Sequence, residues 1–129
     1  MEEIIRQESF SYLDLRGLDR WEILWAPVRV GWTDVGVPTV TARFRIVGKQ
    51  FFFQVRVVPS TTVATAAGTS YIVSAINMAG LGGDGNMVDS TTLIAIGACA
   101  FDIPNSRIYV PSQVATGDII TIAGWHEIM

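Results

Sequence analysis

From Val40 the chain alternates: Val40, Ala42, Phe44 and Ile46 are separated by Thr41, Arg43 and Arg45, with Val47 closing the run. A two-residue period of this kind is that of a strand with one face on a core. Gly48-Lys49 supplies a turn, and the pattern resumes with Phe51, Phe53, Val55 and Val57 on one face and Gln50, Phe52, Gln54 and Arg56 on the other. Two such strands joined by a two-residue turn predict a β-hairpin. Its outer face gathers Arg43, Arg45 and Arg56 with Gln50 and Gln54. That surface reads either as a solvated face or as a polar contact between subunits, because arginine stems cover apolar area while their forks find carboxylates or carbonyls.

The remaining elements are shorter. Residues 1–27 read as an N-terminal arm or docking segment: Glu2–Tyr12 suits a helical turn or an irregular stretch, and Arg20–Trp25 has strand composition before Pro27. Trp21 and Trp25 give this arm contact area for packing onto its own domain or a neighbour. Pro59 ends the hairpin, Thr61–Thr69 suits a short outer strand or a loop, and Tyr71–Ser74 returns to strand composition. Gly80–Asn86, with four glycines, reads as a turn-rich loop, and Asp84, Asn86 and Asp89 are its recognition candidates. Ser90–Phe101 reads as one long strand whose two uncharged faces are both covered, one by another subunit. Arg107–Pro111 and Ile119–Trp125 are further strands, the last pairing inside a sheet. Seven or eight short strands with no amphipathic helix after Pro27 predict an all-β, jelly-roll-like antiparallel β-sandwich over residues 28–129.

Composition sharpens this picture. The 129 residues suit one domain, and 50% hydrophobic with 16% charged residues excludes a disordered chain. The net charge of −3 arises at the start of the chain, since acids and bases balance at five each from Val35 onward. No basic field exists to hold a phosphate backbone, so nucleic acid is excluded as a partner. So little charge in a small domain points to surface buried against copies of itself or another protein. Met1–Phe10 lacks the cationic and apolar regions of a secretion signal. No apolar run reaches the roughly 20 residues of a spanning helix, so membrane insertion is not expected.

Candidate chemistry is sparse. Cys99 is the only cysteine and sits in an apolar run, where a buried inert thiol is expected. The single histidine, His126, reads as a solvent-facing or hydrogen-bonded structural residue, or as one lining the axis of a symmetric oligomer. Asp84, Asp89, Asp102, Asp118 and Glu127 lie mostly in apparent turns, and their spacing assembles neither a glycosidase pair nor a full calcium loop. No catalytic residue, cofactor or metal site is therefore expected. Trp32, Tyr71, Tyr109 and Trp125 suit core or subunit packing, or stacking on a sugar.

As a set, Thr39–Arg56, with its "ARFRIVGK" core and aromatic second strand, and the ending Arg107–Pro111 followed by Asp118–Ile128 resemble small β domains of tailed-bacteriophage fibre and other virion proteins. The resemblance covers about Val28–Ile128, and Thr61–Thr91 matches no pattern within it. It implies a jelly roll related in shape to complement globular-head and tumour-necrosis-factor domains, assembled as a homotrimer. It also implies a core of Phe44, Phe51 and Phe53, with Trp125 in the core or on the axis and Gly124 permitting its close packing. Trp21, Trp25, Arg43, Arg45, Arg56 and Trp125 are then the expected oligomer interface. The function expected is that of a non-enzymatic virion protein, a fibre-tip or tail-associated host-binding domain, with other phage tail or capsid proteins and a host surface glycan as partners. A capsid decoration or head-fibre protein and a monomeric carbohydrate-binding module are the alternatives.

Overall fold

The computed structural model describes residues 23–129, which form thirteen strands and no helix. In chain order these are β1 (Ile23–Trp25), β2 (Arg29–Val30), β3 (Thr33–Val35), β4 (Thr39–Val47), β5 (Gln50–Val58), β6 (Thr62–Thr65) and β7 (Tyr71–Val73). They continue as β8 (Met78–Asp89), β9 (Ile94–Ala98), β10 (Ala100–Asp102), β11 (Arg107–Tyr109), β12 (Gln113–Thr116) and β13 (Ile120–Ile128). The hairpin of β4 and β5 pairs in unbroken register from Val47–Gln50 to Thr39–Val58. Its turn is made by Gly48, whose φ of 61° lies in the left-handed region that glycine adopts at little cost.

Every pairing is antiparallel, and the strands form three sheets. The largest runs β1-β4-β5-β13-β8-β9; the others run β10-β11-β7-β2 and β12-β6-β3. Three connections, β2 to β3, β6 to β7 and β11 to β12, pass directly between the two small sheets. The expected second sheet of a two-sheet sandwich is thus split. At the break Ser70 is buried, its Oγ donating to the Gly31 carbonyl and accepting from the Ala66 N–H. These bonds satisfy the backbone where both ladders stop.

One core joins all three sheets, drawing Phe44, Phe51, Phe53, Val55, Val57 and Ile122 from the large sheet and Val63, Ile72 and Ile108 from the small ones. The phenylalanines stack in a row, Phe44 on Phe51 at 4.9 Å and Phe51 on Phe53 at 6.2 Å between ring centroids. Each such buried side chain contributes roughly 1.5–3 kcal/mol. These rings lie where the resemblance puts them. The stretch read as an arm also contributes to the sheet, because β1 pairs with β4 and Trp25 packs edge-on against Phe44 and Phe51. Trp21 and the rest of residues 1–22 lie outside the described residues.

Two expectations fail for identifiable reasons. The glycine-rich stretch is no loop; it is the middle of β8, where residues 83–86 pair in register with β13 while residues 79–82 bulge opposite Glu127, with Gly80 and Gly82 at φ 63° and 91°. Gly85 and Gly124 face one another, and a Cβ on Gly124 would stand 2.3 Å from the Asp84 carbonyl oxygen. Such bare backbone lets another part of the chain come close, and Phe101 occupies that space, its ring tip 3.4 Å from where a Gly85 Cβ would be. Nor is Ser90–Phe101 one covered strand. Thr91–Leu93 turn, with Leu93 at φ 64°, β9 and β10 join different sheets, and Leu93 and Ile94 are 83% and 63% exposed at the sheet edge. The closing strand, by contrast, does pair inside a sheet, between β5 and β8.

Candidate functional site: the outer face of the six-stranded sheet

Residues directly opposite one another in adjacent antiparallel strands project to the same face, so the registers of the large sheet read out as rows across it. One row is Leu24, Arg43, Gln54, Ala123, Asn86 and Ala98. A second is Arg45, Phe52, Trp125 and Asp84; a third is Thr41, Arg56, Thr121 and Val88. The alternate residues of the same strands are the buried core, which identifies these rows as the outer face. The structure therefore brings together six residues expected at an oligomer interface or recognition loop, Arg43, Arg45, Arg56, Trp125, Asp84 and Asn86, from four strands. It does so on a sheet and not a loop.

The face is ordered internally. The Arg43 guanidinium donates from Nε and Nη2 to Gln54 Oε1, at 3.2 and 3.0 Å. The Arg45 guanidinium lies 5.7 Å from the centre of the Phe52 ring, within the range of a cation–π contact. Phe52 and Trp125 are half-buried neighbours at the middle of the sheet, and Trp125 is neither in the core nor fully exposed. Beside β1, Leu24, Thr41, Arg43, Gln54, Arg56 and Thr121 line an open groove of about 520 Å³, into which Leu24 projects 74% exposed. Charge is segregated: Arg43, Arg45 and Arg56 stand on β4 and β5, whereas Asp84 and Glu127 stand on β8 and β13. The Glu127 carboxylate also accepts the Leu81 N–H at 3.3 Å.

Other candidates are placed elsewhere. Asp89 ends β8 with 8% exposure and accepts the Thr91 and Thr92 N–H groups at 3.0 Å each. The Thr92 backbone bond holds its carboxyl below the usual value, while the hydrogen bond that the protonated Asp118 carboxyl donates to Asp89 pushes Asp118 up. The two acids therefore act directly on one another. Asp102 accepts from the Asn105 amide at 3.0 Å within a turn. Trp32 donates to the Tyr71 carbonyl, Arg29 covers Trp32 at 5.1 Å, and Arg107 covers Tyr71 at 4.4 Å with Tyr109 alongside. Three of the four rings considered for sugar stacking are thus engaged with their own small sheet.

His126 is buried completely, so it faces neither solvent nor an oligomer axis. It lies on Phe51 at 4.7 Å, with Nδ1 2.9 Å from the Glu127 carbonyl oxygen and Nε2 2.6 Å from Ser74 Oγ. A carbonyl only accepts, so Nδ1 carries the proton and Nε2 accepts from the serine hydroxyl. Burial pushes its pKa down, against a smaller upward effect of the Glu127 bond. The bond ties β13 to the chain just after β7 and was not foreseen from sequence, where the two residues stand 52 apart. The Cys99 thiol is pushed up to about 12 by burial and by the charge of Asp84, which leaves it unreactive.

No group of three or more His, Cys, Asp or Glu residues able to hold a metal occurs among the described residues. No helix there is long and apolar enough to cross a membrane. No family model, curated protein or solved structure matches this chain.

Proposed function

We propose that this chain is a non-enzymatic structural domain of a tailed-bacteriophage virion, tail-associated or at a fibre tip, that assembles in copies and holds its partners through the outer face of the large sheet. The observation that carries this reading is the row Arg45, Phe52, Trp125 and Asp84, which sets two rings between opposite charges on a rigid sheet. Aromatic residues and arginine concentrate binding energy at protein interfaces. Rigid placement lowers the entropy lost on docking. The virion setting rests on the resemblance of the hairpin and the closing strands. Multivalent attachment to a host surface glycan follows from assembly, since several weak sites on one body gain avidity after the first engages.

The test is retention of the labelled full-length protein on bacterial cells and on tail and capsid fractions of tailed phages. Retention by cells or tails is expected. Retention by capsids alone selects a decoration role, and none on any fraction refutes the virion reading. Turnover of a surface polysaccharide that disappears when Asp84 or Asp118 is neutralised would overturn the non-enzymatic part.

A further inference from the structure

Of the five arginines and lysines after Val35, four stand on one hairpin: Arg43, Arg45, Lys49 and Arg56 lie within residues 39–58, where there is no acid. Arg43 is paired across the hairpin with Gln54 and Arg56 with Thr41, so the two arginines are diagonal neighbours on the outer face, their Cβ atoms roughly 7 Å apart. Both are exposed, and both line the groove beside β1. Like charges brought this close repel one another unless an anion lies between them. Among the described residues the only ion pair joins Arg29 to Asp34, and Arg56 has no hydrogen-bonding partner there. Arg43 is held in place by Gln54 through Nε and Nη2, which leaves the Nη1 hydrogens unpaired. Arg45 is engaged within its own chain and does not line the groove, so it takes no part.

The rest of the groove is neutral and forms hydrogen bonds, through the Thr41 and Thr121 hydroxyls and the Gln54 amide. Along β13 the outer face continues from Thr121 through Ala123 to Trp125. Ala123 is exposed and short, so the strand is bare for about 7 Å before the ring begins. Trp125 is half-buried and has no ring or hydrogen-bonding partner among the described residues. Asp84 and Asn86 stand opposite Trp125 and Ala123 on β8, placed to accept hydroxyl hydrogens. The geometry points to an acidic oligosaccharide as the occupant: a uronate carboxylate between Arg43 and Arg56, its hydroxyls on Thr41, Gln54 and Thr121, and the next sugar ring against Trp125. Guanidinium forks match a carboxylate with paired hydrogen bonds. An acidic peptide would satisfy the arginines, but Asp84 beside the ring repels a second acid and suits a neutral sugar. The assignment deepens, and rests on, the proposed glycan-binding role of the outer face.

The test is titration calorimetry of the full-length protein with three polymers, tryptophan emission being followed in parallel. They are hyaluronan oligosaccharides, in which a uronate alternates with a neutral amino sugar, neutral dextran and polyglutamate. Hyaluronan should bind, more weakly as salt is raised, and at least about tenfold more tightly than the other two. Arg56→Gln should lower that affinity at least about tenfold and leave the urea midpoint unchanged, because the side chain is exposed and unbonded. Trp125→Phe should abolish the change in emission. No binding of hyaluronan, equal binding of polyglutamate, or an affinity unchanged in Arg56→Gln overturns the assignment, as does an emission change that survives Trp125→Phe. Should Trp125→Phe not fold, Ala123→Glu at its exposed position sets a like charge in the path of the sugar chain. Loss of binding is expected there, and unhindered binding overturns the path. Retention on cells or virion fractions without hyaluronan binding would remove this ligand alone; loss of both would remove the functional reading as well.

Discussion

The two faces of the six-stranded sheet are made by the same strands, yet they differ in what holds them. The inner face is dry: Phe51, Phe53, Val55, Val57 and Ile122 are fully buried and packed against the small sheets. The outer face alternates with it residue for residue and includes guanidinium groups, amides, two rings and carboxylates. Burial makes the inner face sensitive to the loss of a single methylene, while solvent screens most of what the outer face does for stability. On the proposed function, the domain separates folding from recognition across the thickness of one strand. Changes on the inner side should cost stability, and changes on the outer side should cost association alone.

The largest effect is expected where the inner side has no side chains. A Cβ at Gly124 would meet the Asp84 carbonyl oxygen at 2.3 Å and the Gly85 Cα at 2.6 Å, both of them backbone atoms that cannot swing aside. Gly124→Ala must separate β8 from β13 at the centre of the sheet, and we expect a loss of about 4 kcal/mol or more in urea unfolding. Phe53→Ala follows, at about 3–4 kcal/mol, since its ring is fully buried between Phe51 and Phe101. A loss below about 1 kcal/mol in either variant would mean that the inner face is not the core it is described to be.

The next effect is pH-dependent and also belongs to the inner face. His126 is buried as the neutral form, with its pKa held below its ordinary 6.5 by desolvation. The unfolded chain therefore binds a proton more readily than the folded one, and stability rises with pH over the window between the two values. The contribution is complete above about pH 6.5 and is lost as pH falls through the folded value. Unfolding midpoints should drop between about pH 7.5 and about pH 5.5. His126→Phe, which keeps the ring on Phe51, should flatten that slope. Asp118 has the opposite sign, because its raised carboxyl favours the protonated folded form, and it acts nearer the ordinary carboxylate range. A slope unchanged by His126→Phe would assign the pH dependence to other groups.

How far the chain could be read before its structure follows from the same division. The hairpin of β4 and β5 is legible because nine residues on each strand carry the alternation in side chains of opposite character. The strand β8 is not, since Gly82, Gly83 and Gly85 have no side chain to show a period and imitate a turn. Its reason lies in β10 and the turn after it: the bare backbone makes room for Phe101 and Ile103. The candidate face was half legible. Arg43, Arg45 and Arg56 fall on one side of the hairpin from their spacing alone. Asp84 and Asn86 join them only through the pairing of β8 with β13, a long-range register that no local pattern encodes. Phe52 shows its outward position in the alternation, but its partner Trp125 is 73 residues away in sequence.

The smallest effect on stability is the one that most sharpens the contrast between the faces. Arg43 is exposed, and its visible bonds run to the side chain of Gln54, so Arg43→Ala removes no buried contact. Hydrogen bonds and charges of this kind contribute about 0.5 kcal/mol or less. Its unfolding midpoint in urea should coincide with that of the wild type. Association through the outer face should nevertheless weaken, because an arginine fork at an interface pairs with the carboxylates or carbonyls of what docks there. A stability loss above about 1 kcal/mol with unchanged association would reverse the assignment. It would make the arginines part of the fold, and move the recognition surface to the aromatic cluster of Tyr71, Tyr109 and Arg107 on the small sheet.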